Sequence, residues 1–135
     1  MGDENMVFVQ IELDEKMKNK TDEYSFILKP SKLGGVGVFC THGIKKGTRL
    51  NLFPDCETEF IRHEKVDARM KQFLDFYAVC TKRGYSKPAN LCHMQIGWYL
   101  NHSEKNNAHH DDRYRYFASV DIPSGVEITI NYKDL

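Results

Sequence analysis

Ile96-Gly97-Trp98-Tyr99-Leu100-Asn101-His102-Ser103 is an apolar run that ends abruptly in three polar residues, and its reading decides the rest of the chain. Polar groups delivered straight from a run that must be buried either find partners or cost stability. Further on, Glu127-Ile128-Thr129-Ile130-Asn131-Tyr132 alternates as a half-buried strand does. A polar knot and a tyrosine closing a strand read as two halves of one site. The remaining residues are then the scaffold that joins them.

The chain has 135 residues, one domain's worth and enough to bury a core without disulfide staples. Hydrophobic content of 41% and charged content of 28% suit a soluble globular protein. The formal net charge is zero, so no direct nucleic-acid binding is expected. No apolar run is long enough to span a membrane. Met1-Gly2-Asp3-Glu4-Asn5 is acidic and polar, unlike a secretory leader, and Met6 stands where a myristoylation site needs Ser or Thr. An intracellular protein, cytoplasmic or nuclear, is expected. Cys40, Cys56, Cys80 and Cys92 form no CxxC pair, which argues against a zinc cluster or redox dithiol and for small hydrophobes in a reducing compartment.

Taken in order, Val7 to Leu13 reads as a strand, and Tyr24 to Leu28 as a second one ended by Lys29-Pro30. Gly34-Gly35-Val36-Gly37 follows, a bend whose side-chain-free backbone can lie close against something else. It lacks the Lys-Ser/Thr ending of a P-loop and the spacing of a Rossmann turn. Ile44 to Thr48 is expected to close a hairpin around Gly47. Residues 38–50 also line up without gaps on residues 116–128, with Phe, Ile and Gly coinciding, which reads as two hairpins obeying the same turn chemistry. Between them Val66, Met70, Phe73, Leu74 and Tyr77 mark one face of a helix. It is expected to carry an Asp67–Lys71 pair and to stop before Lys82-Arg83-Gly84. Phe76 and Tyr77 fit a pocket wall, though aromatic residues at helical spacing are more often core. Tyr85 to Asn90 reads as a loop, and Leu91 to Leu100 as a short apolar segment whose type the residues leave open.

These pieces together resemble a SET-domain protein lysine methyltransferase. Gly35-Val36-Gly37-Val38-Phe39 is similar to that family's glycine motif, and Ile44-Lys45-Lys46-Gly47 to the hairpin after it. Asn101-His102-Ser103, with Asn107, resembles the family's NHSCxPN motif, and Gly125 to Tyr132 its closing GEELTxDY. Glu104 and Asn106 depart from the Cys and Pro of the middle motif; Val126 and Asn131 depart from a Glu and the Asp of the last. Ile130 stands near where many members carry the Phe or Tyr that tunes methyl number, so product multiplicity stays open.

The resemblance implies a mainly β fold with a short helical insert (α+β), built from small curved sheets with a C-terminal pseudoknot. The expected divisions are an N-terminal hairpin (1–28), cofactor-side hairpins (29–60), the helical insert (61–95), and the Asn-His-Ser motif with the C-terminal strands (96–135). It further implies methyl transfer from S-adenosylmethionine, leaving S-adenosylhomocysteine, to a protein lysine, with a histone tail the family's common substrate. Gly34, Gly35, Val36, Gly37, Asn101, His102 and Tyr132 would hold the cofactor, Tyr132 would be catalytic, and Tyr77, Tyr99 and Ile130 would line the lysine channel. A minimal member without cysteine-rich flanks would close that channel with its own N-terminal hairpin, its insert, or a second subunit in a homodimer.

The chemistry is consistent with these residues. Lysine attacks as the neutral amine, although its ordinary pKa is about 10.4, and an apolar channel beside a sulfonium favours that form. A tyrosine hydroxyl orients the amine without adding negative charge. Two rival readings use the same sequence. One is a SET-like protein-binding module without turnover. The other is a metal site at His102, His109, His110, Asp111 and Asp112, which suits imidazole and carboxylate ligation but places neighbouring histidines on opposite faces. Asp55, Glu57 and Glu59 share a face if extended, fitting either a basic tail or a solvated edge.

Overall fold

The structure is a computed structural model and describes residues 17–54 and 58–135. The expected strand Val7 to Leu13 and the acidic residues Asp55 and Glu57 lie outside the described residues. The chain falls into two compact units: one holds the described residues up to Asn51 together with Leu100–Asp134, the other the described residues of Leu52–Tyr99. Strands dominate and only one α-helix is present among the described residues, a mainly β fold with a short helical insert.

The first unit begins with β1 (Phe26–Pro30) and β2 (Val36–Cys40), an antiparallel pair in register from Phe26↔Cys40 to Pro30↔Val36. The glycine bend is the turn of this hairpin. Ser31 N–H donates to the Gly35 carbonyl (2.9 Å), and Gly34 and Gly35 take φ of 120° and 55°. Pro30 is tolerated because, among the described residues, β1 is an edge strand of its sheet.

The repeated sequence has a structural meaning that two hairpins do not describe. β2 does not turn back on β3 (Arg49–Leu50), and β9 (Tyr116–Ala118) does not turn back on β10 (Glu127–Ile130). Each copy pairs with the other instead: Val38↔Ile128 and Phe39↔Glu127 on one side, Leu50↔Tyr116 and Arg49↔Phe117 on the other. At the centre Ile44 and Ile122 exchange both backbone hydrogen bonds, each 2.8 Å. Gly47 N–H donates to the Ala118 carbonyl and Gly125 N–H to the Cys40 carbonyl, again 2.8 Å each. The two glycines adopt φ of 86° and 84°, a left-handed bend that a side chain would strain. The copies are thus related by an approximate two-fold passing between the isoleucines. The expected hairpins fail because Val38, Ile44, Leu50, Ala118, Ile122 and Ile128 are all nearly inaccessible and form one shared core. Folding each copy on itself would split that core in two.

Two further strands of this unit stand among the described residues. β8 (Ala108–His110) pairs with β9, and β7 (Asn101–His102) runs parallel to β10 with Thr129↔Asn101 and Ile130↔His102. The four-stranded order is β1-β2-β10-β7, which sets the glycine motif, the closing strand and the Asn-His pair side by side.

The second unit is a three-stranded sheet, β4 (Thr58–Arg62), β6 (Gly84–Pro88) and β5 (Val79–Cys80), with the helix α1 (Ala68–Tyr77). Asp67 caps the helix, accepting from Met70 N–H at 2.8 Å, so Lys71 pairs with Asp75 (3.0 Å) and not with Asp67. Of the apolar face only Leu74 is buried, while Phe73 and Tyr77 remain partly exposed. The helix ends at Tyr77, short of Lys82-Arg83-Gly84, because Val79 and Cys80 are taken up by pairing with β6. β-Branched Val79 favours that extended backbone. For the same reason Tyr85 to Pro88 is strand and not loop. Cys40 is buried as expected of a small hydrophobe; Cys80 and Cys92 are exposed free thiols.

Candidate active site

The site forms in the first unit, where β7 delivers Asn101 and His102 next to β10. Asn101 Nδ2 donates to the Val36 carbonyl at 3.0 Å and to Glu127 Oε2 at 2.8 Å. One amide therefore ties the glycine motif to the closing strand. The other carboxylate oxygen of Glu127 accepts from Ser31 Oγ at 2.6 Å. Gly37 is glycine for lack of room, since a Cβ there would overlap the Glu127 carboxylate and crowd Asn101 Nδ2.

Tyr132 follows β10 at the start of a short 3-10 turn, Tyr132–Asp134. Asn131 makes that turn, its Oδ1 accepting from Lys133 N–H at 3.0 Å. An aspartate would do the same, which explains why Asn is accepted here. Tyr132 N–H donates to His102 Nδ1 at 3.0 Å, and the two rings lie 5.2 Å apart. The phenol hydroxyl donates to the Leu100 carbonyl at 2.6 Å. Burial, and secondarily the charge of Glu127, push this phenol above its ordinary pKa of 10.0. It stays neutral at physiological pH.

All seven residues expected to hold a cofactor lie in this unit: Gly34 and Gly35 in the exposed turn, Val36 and Gly37 at the start of β2, Asn101 and His102 on β7, and Tyr132 after β10. Ile130 is 5% exposed within the same unit. Tyr77 and Tyr99 sit in the second unit, their rings edge to face at 6.1 Å. That unit also has a cleft of about 280 Å³ between Pro88 and Trp98, lined by Asn90, His93 and Gln95 among others.

Three contributors carry no site role in the sequence reading, although two of them stand in motifs. Glu127 and Ser31 are the first two. The third is Asn107, whose Nδ2 donates to the Glu127 carbonyl (2.8 Å) while its Oδ1 accepts from Thr129 N–H (2.9 Å). The asparagine amide thus stands in for a neighbouring strand's peptide unit and holds β10 straight. The signals were present: Gly37 announces something large behind it, and Asn107 occupies the last position of its motif.

The histidines of the 109–110 stretch are hydrogen-bonded within the unit. His109 Nδ1 meets Ser119 Oγ at 2.7 Å, and His110 uses its two nitrogens on the carbonyls of Asp111 and Asp134. Among the described residues no group of three His, Cys, Asp or Glu side chains is placed to hold a metal ion. Nor is any helix among them long and apolar enough to cross a membrane.

Small sheets around a parallel β7–β10 pair, with asparagine, histidine and tyrosine converging, define the class. A family model described as the SET domain matches residues 35–133, and the chain belongs to that family. The solved structures that share the fold include a crystal structure from Plasmodium falciparum, of a protein named as a "putative histone methyltransferase". The two are 26% identical with a TM-score of 0.56, the match covering 82% of this chain and 95% of that one. No curated protein matches the sequence. Family and fold together make this a SET domain.

Proposed function

We propose that this protein transfers a methyl group from S-adenosylmethionine to the ε-amine of a lysine in a protein substrate. The observation that carries the reading is the Asn101 amide, hydrogen-bonded to Val36 and Glu127 while its neighbour His102 accepts from Tyr132 N–H. Three separate sequence motifs thereby surround one point.

The residues present fit the cofactor. Asn101 Nδ2 is committed to two acceptors, and nothing among the described residues donates to its Oδ1, which is left for the ammonium of the methionine moiety. Gly34 and Gly35 offer backbone with open space where a side chain would stand. S-Adenosylmethionine supplies a methyl already activated by its sulfonium, so the protein's task is alignment. Tyr132 performs the part at the acceptor. Its own proton is spent on Leu100, so its oxygen is free to accept from an amine N–H and orient the nitrogen lone pair. A neutral phenol does this without holding the lysine as a cation.

Histone tails are the first substrates to test, since the Plasmodium relative carries that name. Incubation with methyl-labelled S-adenosylmethionine and a histone mixture should put label on lysine. Cofactor binding with no transfer to histones or to lysate proteins would favour a binding module; no cofactor binding at all would end the reading.

A further inference from the structure

Glu127 ties Asn101 to the closing strand, and its carboxylate is engaged on both oxygens. It accepts from the Ser31 hydroxyl at 2.6 Å and from Asn101 Nδ2 at 2.8 Å, and it fills the space where residue 37 would carry a Cβ. An asparagine amide is nearly symmetric in shape, so only its partners decide which end faces where. Both neighbours of Nδ2, the Val36 carbonyl and the Glu127 carboxylate, accept and never donate. Turning the amide over would set its oxygen against two other oxygens. The ionised partner contributes the larger share of that preference, because charge-assisted hydrogen bonds are roughly twice as strong as neutral ones.

We propose that Glu127 is a positioning residue that locks the Asn101 amide with Oδ1 presented to the cofactor's ammonium, the carboxylate being held in turn by Ser31. This rests on the methyltransferase reading above. Gly37 belongs to the same device, since any side chain there would evict the carboxylate. The field of Glu127 also reaches Tyr132, whose phenol it helps to keep protonated after burial has done most of that work. Glutamine at 127 would bring an NH₂ group as able to donate to Oδ1 as its oxygen is to accept from Nδ2. The lock would then rest on Val36 alone.

Two ligands that differ only in the ammonium test this: S-adenosylhomocysteine and its deaminated analogue, titrated calorimetrically into wild type, Glu127→Gln and Ser31→Ala. Glu127→Gln should weaken S-adenosylhomocysteine about tenfold and leave the deaminated analogue unchanged, the loss expected of one charge-assisted hydrogen bond. In turnover the KM for S-adenosylmethionine should rise with kcat little altered. Ser31→Ala, on an exposed turn, should show a smaller loss of the same pattern and carries the test if Glu127→Gln does not fold. Equal weakening of both ligands, or no change in either, overturns the inference while leaving the methyltransferase reading standing. A wild-type chain that binds neither ligand overturns both.

Discussion

The Tyr132 hydroxyl lies 2.6 Å from the carbonyl oxygen of Leu100 and donates to it, linking the second residue after β10 to the residue just before the Asn-His pair. The proton is therefore fixed in direction, and the oxygen is oriented before any substrate arrives. Tyr132→Phe should cut single-turnover methyl transfer by about 10²- to 10³-fold while cofactor binding persists, because the hydroxyl is withdrawn and the ring kept. Since the phenol's pKa is raised above 10.0, any loss of rate from its ionisation should appear only above pH 10. A rate–pH profile taken to pH 10 should show no such limb from this group.

Gly37 and Glu127 cannot both keep their places if a side chain is added at 37. Gly37→Ala should destabilise the fold by about 1–3 kcal/mol, as overpacking does. It should also abolish cofactor binding at temperatures where the protein remains folded. Thermal melts and calorimetry on one preparation separate the two effects.

Asn107 braces β10 from the side, and its loss would strand the Thr129 N–H, the Glu127 carbonyl, or both. Asn107→Ala should cost about 2 kcal/mol in denaturant unfolding. Asn106→Ala removes one side-chain hydrogen bond, to the Ala108 carbonyl, where Asn107→Ala removes two, and should cost about half as much.

Tyr116 is 7% exposed, and burial, with a smaller effect from Tyr114, pushes its phenol up to about 12. The folded state then holds this proton more tightly than the unfolded chain does. That stabilisation is fully present below pH 10 and is lost as pH rises through about 12. Two pKa units correspond to roughly 2–3 kcal/mol. Chemical denaturation between pH 9 and 12 should show a decline that Tyr116→Phe flattens.

In the second unit Asp67 and Lys71 should behave differently, though sequence alone would pair them. Asp67→Ala removes a helix cap and should cost about 1 kcal/mol. Lys71→Ala breaks an exposed, solvent-screened pair and should cost clearly less than loss of the cap. Urea melts of the two variants make the comparison.

The family was legible in the sequence because its motifs depend on local chemistry: glycines at a bend, a polar knot after an apolar run, a strand ending in tyrosine. What was misread depends on partners distant in sequence. Residues 38–50 and 116–128 look alike because they pair with each other, and period-two alternation cannot say which strand is the neighbour. The sequence alone allows the helix to run up to Lys82, because Val79 and Cys80 give no sign of β6 until Gly84 to Pro88 is known to pair with them. Alternation alone gives Glu127 no partner. Only the register Glu127↔Phe39, set beside Gly37 and Asn101, shows its carboxylate turned inward.

The central claim is that the glycine bend, the Asn-His pair and the final tyrosine form one cofactor site. Titration of isotopically labelled protein with S-adenosylhomocysteine, followed by amide chemical shifts, tests it most directly. The account predicts that the amides of residues 34–37, 101–103 and 131–132 move together along one saturation curve. Shifts confined to the cleft between Pro88 and Trp98, or two of the three segments moving without the third, would contradict it.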